Sequence, residues 1–357
     1  MAEREWISKG VQRKHKGLRL RADEEMLSCY MEVCMRMTQS YDELRIGIAA
    51  IVSPLEMPYL QEWVDWHREI GFDDFYLVLN DWSAFDMVEF QRMFWRGCSN
   101  GWIHVYRLDG PNKQIEAYNN ILRLALSDGV VEFGGIPTSD RHIDWLAFID
   151  VDEFVRPRGK RSVKQVLNTF SDIANAVALN WRLYGSSGID GVVNGDFSVL
   201  DRFKKCAKHL DKHLKQVLNI ALLRKMRQIT RLPVFAEPHT LVVFENGKLG
   251  LYPSITPDWT ETHGAFNEVD LDRPKELELA HYITKSRREC QIRRSYRRAD
   301  TGKPREEGWE DFFNKYDINE IDDCEVIYEQ LRETTSGDGE KGIAEQPKLE
   351  QHIEGDD

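Results

Sequence analysis

The sequence predicts an α/β protein, a largely parallel sheet with helices covering both faces. Three observations carry this reading. From Arg45 onward, short β-type runs alternate regularly with helical segments. The first run, RIGIAAIV, is apolar enough to be a buried strand, and later runs end abruptly in polar residues at one side. The chain is also long enough to bury a sizeable core: it has 357 residues, 41% of them in AVILMFWYC, with 10 Trp, 12 Tyr and 16 Phe. One large domain or two smaller ones fit that length.

The elements follow in order. Residues 1–44 open with a basic segment and continue as the Met-rich EEMLSCYMEVCMRM, which lacks Gly and Pro and predicts a helix packed on the main domain. A strand over 45–52 is closed by Ser53 and Pro54. MPYLQEWVDWHREIG then places Leu60, Trp63, Val64, His67 and Ile70 at helical spacing and ends at Gly71 as a C-cap. Strand 74–80 follows, then a helix ending at Gly97, strand 102–108, helix 113–127 and a fourth strand within 144–155. Residues 175–188 form a strand running into a Gly/Ser turn, and 202–230 mix helix and turn. A hairpin around Asn246-Gly247 comes next, followed by a basic helix over 285–299. The chain therefore divides into an N-terminal basic helical segment (1–44), a main α/β domain (45–284), a C-terminal helical region (285–333) and an acidic tail (334–357). The tail holds too few apolar residues to fold.

Composition excludes several classes. A net charge of -12 and a pI near 5.4 argue against nucleic acid as a partner and against a bulk embrace of an anionic membrane. The six cysteines show no CxxC or zinc-type spacing, which fits a reducing compartment. The first residues are charged, unlike a secretory signal, and no stretch approaches the ~20 apolar residues of a transmembrane helix. A cytoplasmic protein is expected.

The chemistry is expected where a strand ends in acids: Trp145-Leu-Ala-Phe-Ile149-Asp150-Val151-Asp152-Glu153. Ligands of open α/β sheets bind outside the carboxyl ends of the strands. In extended geometry Asp150 and Asp152 leave the same face, so two hard oxygen ligands can share one magnesium or manganese ion that keeps positions open for a diphosphate. The alternative is a solvated acidic loop.

These residues, with IVSPLEMPYLQEWVDWHREIGFDDFYLVLNDWS, NKQIEAYNN, NWRLYGSSG, EPH and AHYITKS, resemble the GT-A-fold glycosyltransferases. Within them they are similar to the family-92-like and bacterial family-2-like (DUF23-type) enzymes, over about residues 45–290. Two departures stand out: Ser53-Pro54-Leu55-Glu56 retains only the Glu of the usual first motif, and Ile189-Asp190 stands where a His usually follows the GSSG turn. The resemblance implies a Rossmann-like GT-A fold and a nucleotide-sugar donor, a UDP-sugar first, with manganese or magnesium at Asp150 and Asp152. It places Glu56, Asn80, Asp81, Gln114 and Asn119 around the nucleotide, each with a cap, turn or surface amide as its alternative. A further metal ligand is expected from His239 or His281, and Lys285 is expected to reach the diphosphate. The reaction is expected to be inverting, with a general base among Asp190, Asp196, Asp201 and Glu237, of which Asp190 is favoured because it follows a strand and a flexible turn, and the SSG turn is a candidate sugar contact. The acceptor is expected to be a glycan or lipid-linked glycan in cell-surface polysaccharide assembly. The basic run from Lys285 to Arg305 is either a solvated helix face or a patch for an anionic acceptor or for weak peripheral contact with the inner membrane face. Two other readings stay open: a nucleotidyl or phosphoryl transferase, for which SPLEMP is a poor phosphate loop, and a degenerate transferase acting as a binding module.

Overall fold

The computed structural model describes residues 43–323 apart from 128–129, 134–135, 140–142, 227–232, 246–247, 269–270, 273–274 and 297–302. The N-terminal helix, the acidic tail, the Asn246-Gly247 turn itself and residues 297–302 of the basic run lie outside them. The first half alternates as expected: β1 (Ile46–Val52), α1 (Met57–Glu69), β2 (Asp74–Leu79), α2 (Ala84–Ser99), β3 (Ile103–Arg107) and α3 (Gln114–Leu126). A small hairpin of β4 (Val130–Phe133) and β5 (Ile136–Ser139) precedes β6 (Trp145–Phe148) and β7 (Glu153–Pro157). Then come α4 (Val163–Thr169), β8 (Ala176–Leu183), α5 (Val199–Arg202), β9 (Lys205–Cys206), β10 (Leu214–Asn219) and α6 (Ile220–Met226). β11 (Val234–Glu237), β12 (Thr240–Glu245) and β13 (Lys248–Leu251) form a separate three-stranded sheet. The chain continues through β14 (Pro253–Ile255), β15 (Glu261–His263), β16 (Leu277–His281), α7 (Arg287–Ser295), α8 (Trp309–Tyr316) and β17 (Ile321–Asp322).

The main sheet runs β15-β14-β8-β10-β6-β1-β2-β3, with β16 beside β8 and β7 beyond it. Its β6-β1-β2-β3 half is parallel. Side-chain alternation divides the core. Ile46, Ile48, Ala50 and Val52 meet Leu60, Trp63, Phe90 and Phe94 of α1 and α2, whereas Ala49 and Ile51 meet Ala117, Tyr118 and Ile121 of α3. Helices thus cover both faces of the sheet. Among the described residues no helix is long and apolar enough to cross a membrane.

Three expectations change. Helix α2 runs past Gly97 to Ser99, because that glycine is a packing residue: a Cβ there would lie 2.5 Å from Cδ1 of Ile103. The stretch read as helix and turn contains β10, which lies antiparallel between β6 and β8 at the centre of the sheet. The GSSG turn, expected as a sugar contact, has two of its amides committed inside the fold. The amides of Ser186 and Ser187 donate to Asp317 and Asn319 at 2.5 and 2.7 Å, and the Ser187 hydroxyl accepts from Lys204 and Lys205. Gly185 is required there, since a Cβ would meet the Ile318 carbonyl at 2.5 Å.

Residues beyond 285 join the same body. Arg156 and Arg158 bind Asp323, Arg158 and Arg182 bind the fully buried Glu278, and β17 pairs with β9. His67 joins α1 to β7. Its Nδ1–H donates to the Trp63 carbonyl at 2.8 Å and its Nε2 accepts from the Val155 amide at 3.1 Å, so both ring nitrogens are used by a neutral imidazole. Burial holds its pKa at about 3 instead of 6.5. Between those values the unfolded chain takes a proton that the folded chain refuses, so stability falls as pH drops through this window. From pH 7 to 5 this group alone removes about 2 kcal/mol. Urea unfolding at pH 7, 6 and 5 should show His67→Gln losing that increment of pH dependence; identical slopes in both proteins would refute it.

Candidate active site

Three strand ends build the site. β1 delivers Ser53 and Glu56, β2 delivers Asn80, and β6 delivers Asp150 to Glu153. After β6 the chain does not stay extended. The Glu153 amide donates to the Asp150 carbonyl at 3.0 Å, and the Glu153 carboxylate accepts from the Asp150 amide at 2.8 Å. This tight turn corrects the expectation that Asp150 and Asp152 leave one face of a strand. Asp150 faces a cleft of about 680 Å³; Asp152 is almost buried and lines a second pocket of about 500 Å³ instead.

Each acid is matched to a cation. Asp150 accepts from Lys215 at 3.0 Å, from Gln114 at 2.8 Å and from the Tyr118 hydroxyl at 3.0 Å. Burial works to raise its pKa, but the Lys215 ammonium prevails and holds it below the ordinary range. Asp152 accepts from Arg293, with His281 Nε2 at 3.5 Å. Against the same burial, these two neighbours keep it well below the usual carboxylate value. Glu153 is fully enclosed. Burial drives its pKa up to about 8 despite Lys215 at 3.4 Å, and the two aspartates push it the same way, so it keeps its proton at neutral pH.

Trp181, at the cleft wall, gathers three imidazoles: His213 stacked at 4.7 Å, His239 at 5.3 Å and His281 at 4.2 Å between centroids. Burial lowers the pKa of His239 to about 3 and lowers that of His281. Both therefore remain neutral, and both Nδ1 atoms are buried without a hydrogen-bond partner.

The cleft brings together Glu56, Asn80, Gln114, Asp150, His239 and His281 of the residues expected from sequence. Several carry their structural alternative as well. Glu56 accepts from the Ser53 amide and hydroxyl, with burial raising its pKa, and Asn80 donates to the carbonyls of Leu108 and Gly110. Others are not in the cleft. Asp81, at a φ of 57°, accepts from the Gly110 amide; Asn119 clamps both backbone groups of Phe235, fixing β11 and the turn that carries His239. Asp190 lies off both cavities, its side chain 68% exposed and 3.2 Å from Arg288. Lys285 lines the second pocket with Asp152, not the cleft with Asp150.

Sequence reasoning missed Lys215, Tyr118, Trp181 and Arg293. A signal existed for two of them: Lys215 interrupts an apolar strand, and Arg293 belongs to the basic run. Four of the run's described arginines have partners within the fold. Arg287 packs on Trp309, Arg288 pairs with Asp190, Arg293 turns into the site and Arg294 lies 4.0 Å over the Phe312 ring.

Among the described residues no three His, Cys, Asp or Glu side chains converge on one point. The donor set suits a hard divalent ion that takes one or two carboxylates and completes its shell with ligand oxygens. Asp150, Asp152 and the two imidazoles with unpartnered Nδ1 atoms are donors of that kind, but in this arrangement they are not gathered on one point.

No family model and no curated protein matches the chain. HddC from Yersinia pseudotuberculosis is similar in structure at 9% identity and a TM-score of 0.29, over 50% of this chain and 79% of that one. S. aureus TarS 1–349 is similar at 16% identity and a TM-score of 0.28, over 53% of this chain and 50% of that one, and its structure in complex with UDP is similar too. The galactosyltransferase LgtC, solved with donor and acceptor sugar analogues, is similar at 14% identity and a TM-score of 0.28, over 50% of this chain and 59% of that one. The chain thus spans about half of TarS and under two thirds of LgtC, and likenesses at these TM-scores carry no functional assignment.

Removing Lys215 leaves Asp150 buried without its cation. Lys215→Met should lower stability at pH 7 by about 3–5 kcal/mol, and the loss should shrink toward pH 5 as Asp150 takes a proton. Chemical denaturation at the two pH values checks this; a loss that does not change with pH would disprove it.

Proposed function

We propose that the chain is a metal-dependent glycosyltransferase that moves a sugar from a nucleotide-sugar donor, a UDP-sugar first, to a glycan or glycolipid acceptor. The supporting observation is the convergence of Glu56, Asn80, Gln114, Asp150, His239 and His281 on one cleft at the carboxyl ends of parallel strands. Inversion at the anomeric carbon, cell-surface polysaccharide as the product and action at the cytoplasmic side belong to this reading through the motif resemblance.

In this reading Asp150 and Asp152 hold a manganese or magnesium ion, with His239 and His281 as the neutral donors nearest to them. Bound there, such an ion supplies Lewis-acid stabilisation of the departing nucleoside diphosphate. The chain's own residues do the rest. Gln114 and Tyr118 fix the orientation of Asp150 through its Oδ1 atom. Arg293 lies across Asp152 and lines the cleft, so its guanidinium adds positive charge where the diphosphate gains negative charge as the glycosidic bond breaks. Trp181 gives the cleft an apolar wall that limits water around those charges.

Incubating the purified chain with a panel of nucleotide sugars, with manganese or with a chelator, tests the proposal. Release of nucleoside diphosphate should require the metal. Asp152→Ala and Asp152→Asn should each reduce it by about a hundredfold or more while circular dichroism stays that of the folded parent. Full turnover in either variant, or equal turnover under chelation, would remove the proposal.

A further inference from the structure

The second pocket, of about 500 Å³, shares only Glu56 and Arg293 with the cleft. Its walls include the apolar Pro54, Leu55, Pro58, Val192, Phe197 and Ile292. Against them stands Lys285, only 6% exposed, whose ammonium sits 4.7 Å over the Tyr59 ring. It makes no ion pair or hydrogen bond with any described residue. The neighbouring carboxylates are committed elsewhere. Glu289 accepts from Arg202, Tyr59 and Ser286; Glu56 from Ser53; Asp152 from Arg293. Burial accordingly lowers the Lys285 pKa, with Asp152 opposing it. Thr284 lines the same pocket, 1% exposed, and its hydroxyl is buried without a partner. Lys285 itself is held at a φ of 51°, a left-handed conformation that a lysine rarely adopts.

A buried cation without a counterion, a buried hydroxyl without a partner and apolar walls are together complementary to an oxyanion on an apolar stem. We infer that this pocket binds the phosphate or carboxylate of an amphiphilic acceptor, with Lys285 and Thr284 holding the oxyanion and the Pro54–Pro58, Val192, Phe197 and Ile292 walls taking the apolar part. As an acceptor site the inference rests on the transferase reading; as an anion pocket it does not. Because Arg293 and Glu56 wall both cavities, an acceptor held here lies next to a donor held in the cleft.

The probe is octyl phosphate below its micellar concentration, titrated calorimetrically into the full chain, with octyl glucoside and inorganic phosphate as controls and UDP as the probe of the cleft. Octyl phosphate should bind at least about tenfold more tightly than either control. Lys285→Met should weaken it by about tenfold or more and Thr284→Val by a few-fold, while UDP affinity changes by less than about twofold. Since Lys285 has no counterion, Lys285→Met should melt no lower than the parent, and Thr284→Val provides the independent check if it does. Unchanged octyl phosphate binding in both variants overturns the pocket. Equal binding of inorganic phosphate overturns the apolar part, and a parallel loss of UDP assigns Lys285 to the nucleotide instead. Octyl phosphate bound through Lys285 in a chain that hydrolyses no nucleotide sugar would sink the transferase reading and leave the pocket standing.

Discussion

The ammonium of Lys215, 1% exposed between Asp150 and Glu153, is the constraint around which the site is arranged. Burying a lysine is costly, and fixed negative charge beside it offsets that cost. Lys215 obtains that charge by placing β10 antiparallel beside β6, which puts it under the turn that ends β6. The consequences spread outward from this pairing. Asp150 stays ionised and is fixed by Gln114 and Tyr118. Glu153, deprived of enough positive charge for two carboxylates, keeps its proton and uses an oxygen to close the turn. The turn leaves Asp152 in the second pocket, where it needs a cation of its own and takes Arg293.

The parallel half of the sheet was legible because β1, β2 and β6 are largely apolar on both faces and each helix there shows a 3.6-residue period. The antiparallel insertion was not, for a reason that concerns function. In LKQVLN the polar Lys215 and Gln216 break the apolar run, although both are buried, because one serves the site and the other binds the Gly264 carbonyl. A strand that carries chemistry inward looks in sequence like a turn. Arg293 was hidden in the opposite way, since an arginine in a basic helix has no mark to separate a buried member from its solvated neighbours.

The amides show the same ambiguity at finer grain. Gln114 and Asn119 are five residues apart on α3, yet one reaches Asp150 and the other clamps Phe235. Neither spacing nor residue type separates an orienting amide from a structural one; only the position of a separate sheet does. The turn acids illustrate the limit of strand periodicity. Two residues of separation mean a shared face only while the backbone remains extended, and the Glu153 hydrogen bonds end that state immediately after Ile149.

The stitching of residues 317–323 onto Ser186, Ser187, β9, Arg156 and Arg158 sets an order of assembly. A chain made from its N-terminus can form β1, β2, β3 and β6 early, because their contacts are local or already synthesised. Asp152 then waits without Arg293, and Gly185 faces a gap that Ile318 has yet to fill. The site is therefore closed only when α7, with Arg293, has left the ribosome. A nascent or truncated chain lacking that helix carries an uncompensated carboxylate at its centre, which makes the synthesis of this late segment, more than formation of the sheet, the step that commits the protein to its working shape.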